Sequence, residues 1–185
     1  MLAPPEPKQT LLATPIGELT VVASSRGVRA VVWPGERGHQ PRQIPSSSRS
    51  PAPGQGQEDV DPDTVLRAAA EQLGEYFAGT RATFDLPLDL LGTPFQLAAW
   101  EVLRGIPFGT TISYGEQACR LGDARKARAV GSANGRNPIP IVVPCHRVIG
   151  GDGSLTGFAA GTEAKAWLLR HEQRATAVQA SRRRS

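Results

Sequence analysis

Between Thr93 and Gly135 the chain starts and stops a helix three times in close succession, and that punctuation constrains its fold more than any other feature. Thr93 is an N-cap followed by Pro94 at the first helical position. Phe95, Ala99, Leu103 and Ile106 then recur at helical spacing, with Trp100 beside them, until Pro107-Phe108-Gly109 breaks the run. Ser113-Tyr114-Gly115-Glu116 reads as a capping box opening a short helix to about Leu121. Gly122 supplies a turn, Asp123 caps a third helix through about Ala133, and Gly135 stops it. Two short helices about a tight glycine turn are a helix-turn-helix signal.

The flanking segments read differently. Residues 10–33 predict a β-meander: Thr10 to Ala13, Leu19 to Ala23, and Val28 to Trp33, with turns at Pro15-Ile16-Gly17 and Ser25-Arg26-Gly27. Residues 34–62 are rich in Pro, Gly, Ser and Gln, including Ser46-Ser47-Ser48 and Pro51-Ala52-Pro53-Gly54, and read as a mobile loop. Asp61 or Asp63 can cap a helix with Val65, Leu66, Ala69, Leu73 and Phe77 on one face, ending at Gly79. Residues 81–92 look extended. After Gly135, Ile139 to Val143 reads as a buried strand and Gly150-Gly151-Asp152-Gly153 as a hairpin tip, the wing. Thr162 to about Gln173 predicts a last helix, and the segment 176–185, ending Arg182-Arg183-Arg184, reads as a disordered basic tail. The expected organisation is therefore an N-terminal domain over 1–92 and a C-terminal domain over 93–175.

With 185 residues, 39% of them hydrophobic, the chain can bury a core in one domain or two small ones. No apolar run approaches the ~20 residues a membrane span needs, and Met1 to Pro7 lacks the pattern of a secretory signal. Two cysteines make no disulfide scaffold, and with three scattered histidines they make a poor zinc set, so no metal or cofactor is expected. A reducing cytoplasm with free thiols is the expected setting. The net charge of +4 is unevenly placed: residues 1–92 carry −3 and residues 93–185 carry +7. That split is a weak pointer to a polyanion on the second half. The helix after Gly122 sharpens it. Ala124, Ala127, Ala129, Gly131 and Ala133 make it thin, while Arg125, Lys126 and Arg128 decorate it. A thin basic helix can approach a nucleic-acid backbone; equally, it can pack in a core behind a solvated basic face.

One constellation carries chemistry. Cys145 and His146 follow directly on the apolar run Ile141-Val142-Val143-Pro144. A thiol is only a few per cent ionised at neutral pH, and a neighbouring imidazole can take its proton if a third group orients the ring. Glu172, four residues after Leu168 on the last helix, is a candidate for that group. By themselves these residues also fit a small buried cysteine and a surface carboxylate. Cys119 has no histidine neighbour and reads as packing.

The fifteen-residue stretch Arg136 to Gly150, reading RNPIPIVVPCHRVIG, closely resembles the active-site signature of the methylated-DNA–protein-cysteine methyltransferases, the O6-alkylguanine-DNA alkyltransferases. The resemblance extends to Phe95 through Tyr114, to Ala127 through Gly131, and to Lys165 through Glu172; it covers about 93–173 well and the N-terminal meander more loosely. It implies an α/β (α+β) fold with a small ribonuclease-H-like N-terminal domain and a winged helix-turn-helix-type C-terminal domain. It implies direct, single-turnover transfer of a methyl or other alkyl group from O6-alkylguanine, with O4-alkylthymine as a second candidate, to Cys145. It further implies that His146 deprotonates Cys145 through a water and that Glu172 holds the imidazole. The partner is double-stranded DNA bound through its minor groove by a monomer, cooperativity being left open, with the target base flipped out. Arg128 matches the residue that fills the vacated stack, Tyr114 the tyrosine that crowds the phosphate and protonates the leaving guanine, and Asn137 the hinge asparagine. Lys126, Arg125, Ala129 and Gly131 fall with them on the DNA side. The carbonyls of Cys145 and Val148 match acceptors for the guanine amine, with Phe158, Ala159 and Pro140 around the pocket.

The chain departs from the family pattern at Phe158, which lacks a frequent tyrosine hydroxyl, at Ala159, which offers no side-chain donor to O6, and at Ala160, which replaces a frequent glycine. The 34–62 segment is also longer than the family leads one to expect. Two rival readings are a recognition module without chemistry, against which the presence of Cys145 argues, and a Cys-His-Glu amide hydrolase, which leaves the basic helix unexplained.

Overall fold

A computed structural model describes residues 6–33, 50–51 and 60–182. It divides into two compact units, residues 1–97 and 98–185.

In the first unit, strands β1 (Lys8–Thr14), β2 (Gly17–Ser24) and β3 (Gly27–Val32) form an antiparallel sheet in the order β1-β2-β3. Alternation places Leu19, Val21 and Ala23 of β2 wholly out of solvent on one face. Helix α1 (Pro62–Phe77) covers that sheet with Val65, Leu66, Ala69, Leu73 and Tyr76. Burial of each large apolar side chain is worth roughly 1.5–3 kcal/mol. Of the two aspartates that could cap α1, Asp61 does so, accepting from the Asp63 and Thr64 amides at 3.3 Å each. The extended segment 81–92 bridges to β3, the Val28 amide donating to Pro87 O at 2.8 Å and the Asp89 amide to Val28 O at 2.8 Å. Ser50–Pro51 (β4) pairs antiparallel with Leu91–Gly92 (β5). The rest of the segment read as a mobile loop lies outside the described residues, apart from Val60 to Pro62 at the start of α1.

Helix α2 (Pro94–Arg104) begins with a reciprocal cap, one bond more than the N-cap expected at Thr93. Thr93 Oγ1 accepts from the Gln96 amide at 3.3 Å, and Gln96 Oε1 accepts from the Thr93 amide at 2.9 Å. In the second unit, β6 (Ile112–Ser113) leads into α3 (Tyr114–Arg120). Ser113 Oγ accepts from the Glu116 amide at 3.0 Å, but Glu116 turns to Arg120 at 2.7 Å instead of closing the box. The single helix expected from Asp123 is divided: a 3₁₀ turn, Ala124–Lys126, precedes α4 (Ala127–Asn134). Asp123 explains the tighter first turn, since its carboxylate holds both the Arg125 amide and the Arg125 guanidinium at 3.0 Å. Trp100 Nε1 donates to Ala133 O at 3.0 Å, satisfying a carbonyl at the end of α4. Gln117 and Asn134 exchange amide hydrogen bonds of 3.2 and 2.8 Å, and Gln117 also donates to Ala99 O at 3.0 Å. These buried bonds join α2, α3 and α4.

Four expectations are corrected. Ile139 to Val143 is buried as expected but is a tight turn, not a strand: Ile141 has φ +75°, and Pro140 bridges only to Val143. Residues Gly150 to Ser154 form a turn, with the Gly150 amide on Ser154 O at 2.8 Å. No hairpin strand follows it among the described residues, and β7 (Val148–Ile149) pairs in parallel with β6 instead. The last helix, α5 (Gly161–Arg182), continues well into the segment read as disordered. Its added turns carry Ala175, Thr176, Ala177, Val178 and Ala180, and the alanines favour a helix. Cys119, expected to pack, is exposed.

Candidate active site

The site is assembled by three segments of the second unit: the turn 137–143, the 3₁₀ turn Cys145–Arg147, and α5. The first is closed by a side chain acting as backbone. Asn137 Nδ2 donates to Val143 O at 2.7 Å, and its Oδ1 accepts from the Ile139 amide at 3.0 Å. The Val143 amide reaches Ile139 O at 2.9 Å. An apolar run tied in this way cannot extend, and it delivers Pro144 and Cys145 at its end. The Asn137 amide also hydrogen-bonds the thiol.

Cys145 is buried, and burial pushes its thiol up to about 11, against smaller opposing contributions from Asn137 and the Lys165 cation. The sulfur is therefore protonated at neutral pH and needs a base. His146, fully buried, is adjacent. Its Nε2 lies 2.7 Å from Glu172 Oε1, and Glu172 is fully buried as well. Burial would raise the Glu172 carboxyl, but the His146 hydrogen bond and the hydrogen bonds and charge of Arg147 outweigh it and hold it at about 2. An ionised Glu172 only accepts, so His146 carries its proton on Nε2. Nδ1 is left as the basic nitrogen, and this buried atom has no hydrogen-bond partner among the described residues. Burial lowers the imidazole from its usual value, assisted by the Arg147 and Lys165 charges, so it stays neutral until it receives a proton.

Two residues at the centre of this network, Lys165 and Arg147, carry no role in the sequence reading, which places Arg147 only as a basic residue beside the active site. Lys165 is fully buried on α5, donating from Nζ to Val148 O at 2.6 Å, Thr156 O at 2.7 Å and Tyr114 Oη at 3.4 Å. Burial lowers its ammonium to about 8. A signal was present: Lys165, Leu168 and Glu172 fall on one helical face, so the two charges share the stripe of a buried leucine. Arg147 Nε lies 3.2 and 3.0 Å from the two Glu172 oxygens, and its Nη2 lies 2.9 Å from Oε1.

Tyr114 opens α3 half-buried, its hydroxyl donating to Thr156 O at 2.8 Å. Its ring lies against Gly131 of α4, where a Cβ would sit 3.8 Å from Cδ1 and Cε1. Arg128, Ala129, Lys126 and Arg125 are exposed. Arg125 is engaged by Asp123, whereas Arg128 and Lys126 have no ion pair among the described residues. The structure thus brings Tyr114 and Gly131 together, while Arg128 stands outward. Phe158 is buried with its ring centroid 6.5 Å from that of His146, edge to face, and Ala159 is exposed. Pro140 is buried in the 137–143 turn. The two carbonyls expected to accept from a guanine amine each already hold one donor: Val148 O accepts from Lys165 at 2.6 Å, and Cys145 O accepts from the Val148 amide. Each retains a second lone pair.

Comparisons with known proteins place the chain in a family. Residues 94–174 match the family model described as 6-O-methylguanine DNA methyltransferase, DNA binding domain. Residues 8–90 match the ribonuclease-like domain of the same family. The methylated-DNA–protein-cysteine methyltransferase of Salmonella typhimurium is 45% identical over 163 residues, spanning 87% of this chain and 92% of that protein. Its counterpart from Mycolicibacterium paratuberculosis is 57% identical over 110 residues, spanning 60% of this chain and 67% of that one. Among solved structures, Mycobacterium tuberculosis OGT in complex with DNA superposes with a TM-score of 0.73 at 39% identity, covering 89% of this chain and 92% of that one. With both domain models matched and the Cys145–His146–Glu172 network in place, this chain belongs to the methylated-DNA–protein-cysteine methyltransferase family.

Proposed function

We propose that this chain repairs O6-alkylguanine in duplex DNA by transferring the alkyl group to Cys145, once per molecule. DNA repair by alkyl transfer is the activity of the family to which it belongs. The observation that carries the finer reading is the fully buried His146–Glu172 pair beside a thiol that burial keeps protonated. A thiol in that state is a poor nucleophile until a neighbouring base removes its proton.

The step balances as follows. His146 Nδ1 takes the Cys145 proton, through a water in the bound complex. The thiolate attacks the alkyl carbon, the S–C bond forms, and the C–O6 bond breaks with its electron pair left on the guanine. The guanine takes up a proton, for which Tyr114 is the proposed donor, and Glu172 stabilises the imidazolium formed. A thioether is a poor leaving group, so nothing regenerates the thiol.

The base has to leave the duplex to reach this buried sulfur. In this reading α3 and α4 lie along the minor groove as a helix-turn-helix, exposed Arg128 enters the stack, and Lys126 and Arg125 meet phosphates. Supporting it, the related Mycobacterium tuberculosis OGT is known in complex with DNA. Phe158 walls the pocket, and backbone N–H groups of the 158–160 loop stand in for the side-chain donor that Ala159 lacks. The protein acts as a monomer in a reducing cytoplasm, where Cys145 stays free.

The test is a stoichiometry. Duplex DNA carrying labelled O6-methylguanine, in excess, transfers one methyl group per protein and then stops. Continued turnover, or DNA binding with no transfer, refutes the reading.

A further inference from the structure

The alkyl-transfer reading, on which this inference rests, gives roles to Cys145, His146 and Glu172, but it leaves the residue that surrounds Glu172 without one. Arg147 commits all three of its guanidinium nitrogens to two partners. Nε and Nη2 fork onto the Glu172 carboxylate at 2.9–3.2 Å, and Nη1 donates to Ile106 O at 2.6 Å. The Phe108 ring lies 5.6 Å from the guanidinium carbon, and the side chain is 6% exposed. The Gly109 amide adds a further donor, 2.8 Å from Glu172 Oε2. Gly109 adopts φ +74°, and a Cβ there would meet Thr176 Oγ1 at 2.5 Å, so only glycine presents this amide. Glu172 therefore receives Arg147, Gly109 and His146 together.

A carboxylate held by so many donors does not accept a proton from its imidazole, and a cation sharing the oxygen that the imidazole contacts weakens its pull on that imidazole. We propose that Arg147 is a positioning residue for alkyl transfer: its grip on both oxygens of Glu172 fixes the carboxylate as the anchor of the His146 ring and keeps His146 neutral, with Nδ1 as its basic nitrogen. Arg147 touches neither the sulfur's alkyl donor nor the base, and acts only through Glu172. The other groups bearing on His146 are Lys165 on α5, which also disfavours the imidazolium, and Glu172 itself, which favours it. Without Arg147, the unbalanced carboxylate favours the imidazolium, which cannot accept the thiol proton.

The experiment is the pH–rate profile of Cys145 alkylation by free O6-benzylguanine in the full-length protein, with Arg147→Lys and Arg147→Met beside the wild type. The reaction slows as pH falls and His146 gains a proton. Arg147→Met moves that acid limb up by about one pH unit or more. Arg147→Lys, which keeps the charge and loses the fork, leaves the limb within about half a unit and slows the plateau, by up to about 100-fold. An unmoved limb in a folded Arg147→Met protein overturns the proposal. Where Arg147→Met does not fold, ¹⁵N titration of His146 in the wild type and in Arg147→Gln decides: an imidazole that takes its proton at higher pH in Arg147→Gln is expected, and an unchanged titration overturns the proposal. A wild-type protein that takes no benzyl group refutes the alkyl-transfer reading instead, and the ¹⁵N titration of His146 with and without the Arg147 charge still decides the role of Arg147.

Discussion

Glu172 Oε1 and His146 Nε2 lie 2.7 Å apart, and neither side chain is exposed to solvent. The pair spans 26 residues of sequence and joins the turn bearing Cys145 to α5. Because the carboxylate is ionised and also gripped by Arg147, it accepts the Nε2 hydrogen bond and fixes the ring without removing that proton. The consequences for stability and for rate are separable.

Acid stability follows from the direction of the Glu172 shift. Its carboxyl titrates at about 2 in the folded protein, against a usual value of 4.5, so the unfolded chain binds the proton more tightly. The stabilisation is present above about pH 4.5 and is lost as pH falls towards 2. Glu172→Gln removes this dependence and leaves Arg147 buried without its counter-charge, a loss of about 3–5 kcal/mol. Urea unfolding from pH 7 to pH 3 checks both: the wild type loses stability across that window, and the variant starts lower with a flatter profile.

Arg128 is exposed and free of ion pairs among the described residues, so Arg128→Ala leaves the fold intact. If Arg128 fills the stack as proposed, its loss slows repair of duplex O6-methylguanine by about 1–3 kcal/mol of stacking energy, on the order of 10–100-fold. Reaction with free O6-benzylguanine changes less than about twofold. Single-turnover rates on the two substrates measure this, and equal losses on both argue against a role in extruding the base.

Gly157 has φ +69°, and a Cβ there would lie 2.8 Å from Tyr114 Oη. Gly157→Ala meets a left-handed backbone penalty of roughly 1–2 kcal/mol and pushes the phenol off Thr156 O. Thermal melting falls modestly, while alkylation falls on duplex and free base alike. That pattern is opposite to the one expected for Arg128→Ala.

Gln117 and Asn134 exchange hydrogen bonds in the core that joins α3 to α4. Gln117→Leu strands the Asn134 amide and costs about 1–3 kcal/mol. Replacing both by leucine recovers part of that loss, because neither side-chain amide is then left buried without its partner. A double-mutant cycle by chemical denaturation gives the coupling energy.

The parts of the fold legible in the sequence are those set by neighbours along the chain. Asp61, Thr93, Ser113 and Asp123 each cap where a polar residue precedes an apolar period, and the β1–β3 meander follows from alternation and turn residues. The turn at 139–143 escaped, because five apolar or proline residues look like a strand; the Asn137 side chain bends them, and only the folded chain shows which carbonyl it holds. The α5 extension escaped because the arginines at its end outweighed the alanines before them. Cys145, His146 and Glu172 were legible through the Arg136–Gly150 stretch and the helical face of Leu168. Arg147 was legible only as a charge beside the active site and Lys165 not at all, since a charge reads as surface until its buried partners, Glu172 in one case and two carbonyls in the other, come from distant segments.

The most direct measurement is the mass of the Cys145 peptide after incubation with excess O6-benzylguanine or with O6-methylguanine in duplex DNA. One benzyl or methyl group per molecule, on Cys145 and not on the exposed Cys119, and none in Cys145→Ala, is the predicted result. An unmodified Cys145 after full incubation, or alkylation of Cys119 alone, contradicts it.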